Sequence, residues 1–79
     1  MTFQTFEDYK EWCINVTENE NLEIKTLENQ TPNSIMLENI QNSDPILVLE
    51  IVLSAYDSDF ILGSFHANED NGSIIIYQD

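Results

Sequence analysis

Arginine is absent, and the two lysines, Lys10 and Lys25, stand against fifteen carboxylates, for a net charge of −13 at neutral pH. A footprint on DNA, RNA or an anionic membrane face needs clustered basic side chains, so the charge argues strongly against direct binding to any of them. Cys13 is the one cysteine and His66 the one histidine. An intrachain disulfide is therefore impossible, and a structural zinc site lacks its four ligands. Two glycines, Gly63 and Gly72, are too few for a phosphate-cradling loop. The longest apolar stretch runs from Ile46 to Tyr56 and is broken by Glu50, too short for a membrane span. Residues 1–20 carry Glu7, Asp8 and Glu11 where a secretion signal has a basic start and an apolar run. Together with the lone thiol, this sets the expected compartment as a reducing cytoplasm.

What is present is a chain of 79 residues, 42% of them hydrophobic, which fits one domain rather than a disordered acidic tail. A core of this size rarely supplies more than about 3–5 kcal/mol. Further burial has to come from self-association or from a tight partner, so a homodimer is one expectation. The triplets at Asn15, Asn29 and Asn71 match the glycosylation pattern, but nine asparagines make chance matches ordinary.

The first segment reads as a helix. Thr5 is a good N-cap, and Asp8 stands at N3, close to a capping box. At 100° per residue, Phe6, Tyr9, Trp12, Cys13 and Val16 share one arc, while Glu7, Glu11, Asn15 and Glu18 fall opposite. The helix thus presents an acidic stripe to solvent, with Ile14 placed near that stripe rather than on the buried arc.

Beyond a polar break at Thr17 to Asn21, Leu22 to Leu27 suggests a short strand. Asn29 to Asn33, with Pro32, reads as a turn. Ser34 to Ile40 leans toward a strand, although Thr31-Pro32 also suits a helix cap. For Ile46 to Tyr56 two readings compete. Asp44-Pro45 is a plausible N-cap followed by proline at N1. Against it, Ile46, Val48, Ile51 and Val52 are β-branched, and Leu47, Leu49, Ile51, Leu53 and Ala55 would line one face of a strand. A helix would also end in Asp57 and Asp59, the wrong sign for its C-terminus. The strand is preferred.

Phe60 to Ala67 and Ser73 to Gln78 flank Asn68 to Gly72 and read as a hairpin, the Asn71-Gly72 pair supplying positive φ. Gly63 within its first strand suggests a bulge or a close backbone approach. Ile74, Ile75 and Ile76 are consecutive, so both faces of the last strand are apolar. The expected fold is α+β: an N-terminal amphipathic helix packed on an antiparallel β-sheet of four to five strands.

Chemistry finds little footing. Cys13 lies on the buried arc, where a thiolate has no cationic neighbour, and His66 alternates with Phe65 in a strand. Asp57-Ser58-Asp59 and Glu69 to Gly72 offer oxygens but lack the spacing of a calcium loop. We expect no enzymatic activity, no catalytic residue, no metal and no cofactor.

The charge itself carries the functional reading. Thirteen charges match those on roughly 22 Å of duplex, about what a chain of this size displaces. Magnitudes of about 2–8 suffice for solubility, and unpaired carboxylates repel one another unless a basic partner offsets them. With Glu7, Glu11 and Glu18 on the helix and Glu69 and Asp70 at the hairpin tip, the chain resembles the small acidic inhibitors encoded by phages and mobile elements, the anti-CRISPR and anti-restriction proteins. That resemblance lies in size, charge and helix-plus-sheet makeup. It implies a non-enzymatic DNA mimic bound to the basic nucleic-acid-binding surface of a Cas effector or similar protein. Glu7, Glu11, Ile14, Glu18, Glu69 and Asp70 are the candidate contacts. The alternatives are a homo-oligomeric interaction subunit, and an immunity protein or antitoxin against a basic nuclease.

Overall fold

Among the described residues, two helices pack side by side against one face of a four-stranded antiparallel sheet. The structure, a computed structural model, describes residues 1–26, 33–66 and 72–78. In chain order the elements are α1 (Phe6–Val16), β1 (Glu23–Thr26), β2 (Ser34–Glu38), α2 (Pro45–Asp57), β3 (Ile61–His66) and β4 (Ser73–Tyr77). A 3₁₀ turn at Ile40–Asn42 precedes α2. The strands lie in the order β1-β2-β4-β3, so β4 is inserted between β2 and its own hairpin partner. The α+β expectation is thereby met with four strands. The turn expected at Asn29 to Asn33 falls largely outside the described residues, as does the hairpin tip with Glu69 and Asp70.

α1 forms as its sequence dictates. The Thr5 hydroxyl accepts from the Asp8 amide at 3.2 Å, and Glu7 and Asp8 occupy the positive first turn. Phe6, Tyr9 and Cys13 are buried, Trp12 and Val16 pack at the edge of the core, and Glu7 and Glu11 are exposed. At the other end the Thr17 hydroxyl donates to the Cys13 carbonyl at 2.8 Å and closes the helix.

The segment preferred as a strand, Ile46 to Tyr56, is helical, and its caps explain why. The Asp44 carboxylate accepts from the Ile46 amide at 2.9 Å, and Pro45 fills N1, where a missing amide costs nothing. Closure at the far end needs neither glycine nor a basic residue. Asp59 adopts the left-handed conformation at φ 62°. Its amide donates to the Tyr56 carbonyl at 3.1 Å, and the Phe60 amide donates to Ala55 at 2.9 Å. This is a complete Schellman motif, with Phe60 buried beside the last turn as its apolar contact. The alternation that suggested a strand face is divided by the helical period: Ile51 and Ala55 are buried, Leu49 and Leu53 exposed. β-Branched residues lower helix propensity only by tenths of a kcal/mol each, less than two sound caps and a buried face return.

The core joins the layers. Ile35 and Leu37 from β2 and Ile76 from β4 meet Phe6, Tyr9 and Cys13 from α1 and Ile51 and Ala55 from α2. The helices are tied directly: the Tyr9 hydroxyl donates to the Ile51 carbonyl at 2.8 Å, and the Phe3 amide to the Ser58 hydroxyl at 2.8 Å. Phe6 and Phe60 stack edge-on at 5.0 Å. Burial pushes the Cys13 thiol up to about 12 and the Tyr9 phenol above its ordinary value, the neighbouring thiol adding to the latter. Cys13 is thus a protonated core residue at neutral pH.

Strand alternation divides the last strand as expected. Ile74 and Ile76 face the helices, whereas Ile75 lies on the opposite face, opposite Met36 in the β2–β4 register. No helix of the described residues covers that second face, yet Ile75, Met36 and Tyr77 are half-buried by one another and by their neighbours. Gly63 contributes to this packing. A Cβ there would stand 3.2 Å from both the Ile75 carbonyl oxygen and Tyr77 Cε1, so the glycine admits the tyrosine ring. The β3–β4 register slips by one residue between Leu62 and Phe65, the bulge that Gly63 suggested.

Candidate functional site

Three glutamates border a depression where α1 ends and β1 begins. A shallow depression of about 380 Å³ is lined there by Ile14, Thr17, Glu18, Glu20, Leu22, Glu23 and Ile24. Leu22 and Ile24 turn toward the core, and Ile14, 48% exposed, is the exposed apolar side chain at the depression. Glu18, Glu20 and Glu23 are all exposed at its rim. α1 has no basic residue in its last turn, so no cationic side chain of that turn offsets the negative pole of the helix, which opens onto the same place.

Three asparagines hold this corner. Asn39 adopts φ 65°, a left-handed conformation that asparagine tolerates better than most residues. Its side-chain amide donates to the Asn21 carbonyl at 2.9 Å, and its side-chain oxygen accepts from the Asn42 side chain at 3.0 Å. The Asn21 side chain in turn donates to the Asn42 carbonyl at 3.1 Å. The turn between Glu20 and Glu23 is thereby pinned to the segment that follows β2.

Of the sequence candidates, the depression brings together Ile14 and Glu18. Glu18 is not on the helix, however: α1 closes at its C-cap, Thr17, and Glu18 lies in the following turn. The helical stripe is therefore Glu7 and Glu11, both exposed one turn apart, and Glu18 joins Glu20 and Glu23 instead. Those two glutamates had been read only as part of a polar break and a strand. Their signal was the close spacing of three glutamates around an apolar Leu22-x-Ile24 pair. Glu69 and Asp70 lie outside the described residues.

A second groove runs between the helices, about 380 Å³, bounded by Met1, Trp12, Glu50, Leu53, Ser54 and Asp57. Among the described residues the ion pairs are Lys25 with Glu38 at 2.9 Å and the terminal amine with Asp57 at 3.6 Å. Both involve exposed cations, and the Lys25–Glu38 pair lies beside Glu23, which Glu38 faces across the β1–β2 register. Among the described residues no three acidic, histidine or cysteine side chains are arranged to hold a metal ion. No described helix is long and apolar enough to cross a membrane.

Chemically, the corner suits a cationic side chain with an apolar stem. A lysine or arginine would lay its methylenes on Ile14 and set its charged head among the neighbouring carboxylates. No protein-family model, curated protein or solved structure matches the chain at a significant level. What the fold and the surface define together is a two-layer α+β domain with an acidic corner.

Proposed function

We propose that the chain is a non-enzymatic protein inhibitor that occupies the basic nucleic-acid-binding surface of a larger protein. The targets fitting this reading are a Cas effector, a restriction enzyme or another DNA-binding protein in the bacterial cytoplasm, as for the phage-encoded inhibitors it resembles. The observation that carries it is the corner at Glu18, Glu20 and Glu23: three exposed glutamates beside the exposed Ile14, at a helix carbonyl end, in a chain of net charge −13. Glu7 and Glu11 extend the acidic surface along α1. Their four-residue separation is about 6 Å along the helix, close to two phosphate steps of about 3.4 Å on one DNA strand. Carboxylates so spaced meet arginines and lysines arranged for a phosphate backbone. Long-range attraction makes such association fast and sensitive to salt.

The test is affinity capture by the immobilised full chain from bacterial lysate at low salt. The reading requires a retained nucleic-acid-binding protein that competing DNA or guide RNA displaces. A partner held at high salt and indifferent to nucleic acid would reject mimicry.

A further inference from the structure

α2 is apolar on two sides, and only one of them is used. Ile51 and Ala55 are buried in the core with Leu47, Val48 and Val52 packed around them. On the outer side Ile46, Leu49, Leu53 and Tyr56 stand 66, 54, 49 and 70% exposed. At 100° per residue these four share an arc of about 80°. Their spacing of three, four and three residues is that of a helix-pairing seam.

The order of that seam selects its occupant. It is symmetric about Ile51: Leu49 and Leu53 lie two residues to either side, Ile46 and Tyr56 five. Two copies of α2 laid antiparallel about a dyad at Ile51 set Leu49 against Leu53 and Ile46 against Tyr56. That is the self-complementarity an isologous two-fold contact requires, and an unrelated partner has no need of it. The helix ends do not add to this pairing: the antiparallel copy brings the Asp44 cap toward Asp57, which is already paired with the terminal amine at 3.6 Å. The four residues expose on the order of 500 Å² per copy, so pairing removes at most about 1,000 Å² of it from water, the lower limit of a specific interface and the size of a weak one.

We infer that α2 is the interface of a weak symmetric homodimer, closed by antiparallel packing of Ile46, Leu49, Leu53 and Tyr56. The inference stands apart from the acidic-corner reading, because none of its residues lines that corner. Ionic strength controls it. Each copy carries −13, and the dyad brings the two Glu50 side chains to the same edge of the seam. Repulsion opposes pairing at low salt and is screened at high salt.

Sedimentation equilibrium of the full chain tests this at about 50 mM and about 500 mM salt, where the Debye length falls well below the width of the protein. The expected result is a monomer–dimer equilibrium that tightens about tenfold or more with salt. It is lost in Leu49→Glu and in Leu53→Glu and tightens further in Glu50→Gln. All three positions are exposed, and circular dichroism verifies that the variants fold. Ile14→Glu, on α1, leaves the equilibrium unchanged. A monomer throughout at high salt overturns the inference. So does a dimer indifferent to Leu53→Glu, or one abolished equally by Ile14→Glu.

Discussion

Tyr9 and Cys13, one helical turn apart on α1, couple the stability of this protein to alkaline pH. Both are fully buried and both are neutral when protonated. Burial raises the thiol to about 12 and raises the phenol further. In the unfolded chain the same groups titrate near their ordinary values, about 8.5 and about 10. With folded values above unfolded ones, the stability they contribute is complete below about pH 8.5 and is lost as pH rises. Each group then removes about 1.4 kcal/mol per pH unit once its unfolded value is passed. By pH 11 the thiol has withdrawn about 3.4 kcal/mol and the phenol about 1.4 kcal/mol, together comparable to the whole stability of a domain this small. The protein is therefore expected to unfold near pH 11. Urea unfolding followed by far-ultraviolet circular dichroism from pH 7 to 11 measures this. Tyr9→Phe loses the bond to the Ile51 carbonyl, costs about 1–2 kcal/mol at pH 8, and halves the slope above pH 10. Cys13→Ala delays the onset of the decline from about pH 8.5 to about pH 10. A stability flat from pH 8 to 11, or equal slopes for wild type and Tyr9→Phe above pH 10, would refute the reasoning.

Three further substitutions probe the elements that position the acidic corner and the helical layer. Asp59→Gly relieves a left-handed aspartate and removes a negative charge from the carbonyl end of α2, and should raise stability by about 1 kcal/mol in denaturant titration; a loss would contradict the closure described for α2. Asn39→Ala removes the two bonds to Asn21 and Asn42 and a favoured left-handed residue. It should cost about 1–2 kcal/mol and speed amide exchange around Asn21, whereas unchanged exchange would mean the asparagines do not pin that turn. Gly63→Ala puts a methyl 3.2 Å from the Ile75 carbonyl oxygen, a backbone atom that cannot rotate aside. It should lower the melting temperature by several degrees, for a cost of about 1 kcal/mol.

What the sequence disclosed divides by the range of the interaction. α1 was legible because its caps, its apolar arc and its first-turn acids all agree, and each of these signals is local. The Gly63 bulge was legible for the same reason, since a glycine amid strand residues has few other uses. α2 was misread because its residues prefer strands individually, while the forces that decide it act elsewhere. These are the Asp44 cap, the core under Ile51 and Ala55, and a Schellman closure built on Asp59 where glycine is the usual signal. The insertion of β4 between β2 and β3 is non-local and left no mark on the chain. In the candidate site, the exposure of Glu7, Glu11 and Ile14 followed from the helical period. The gathering of Glu20 and Glu23 around Glu18 did not, because it depends on the asparagine contacts across the turn.

If the acidic surface of α1 and its corner bind a basic, nucleic-acid-binding protein, as proposed, the contact depends on charge. The most direct measurement is the affinity for the captured partner as a function of salt, for the wild-type chain and for Glu18→Gln, Glu20→Gln and Glu23→Gln combined. The account predicts that affinity falls steeply with salt, that the triple substitution lowers both the affinity and the slope, and that nucleic acid competes. An affinity insensitive to salt and unchanged by the triple substitution would contradict it.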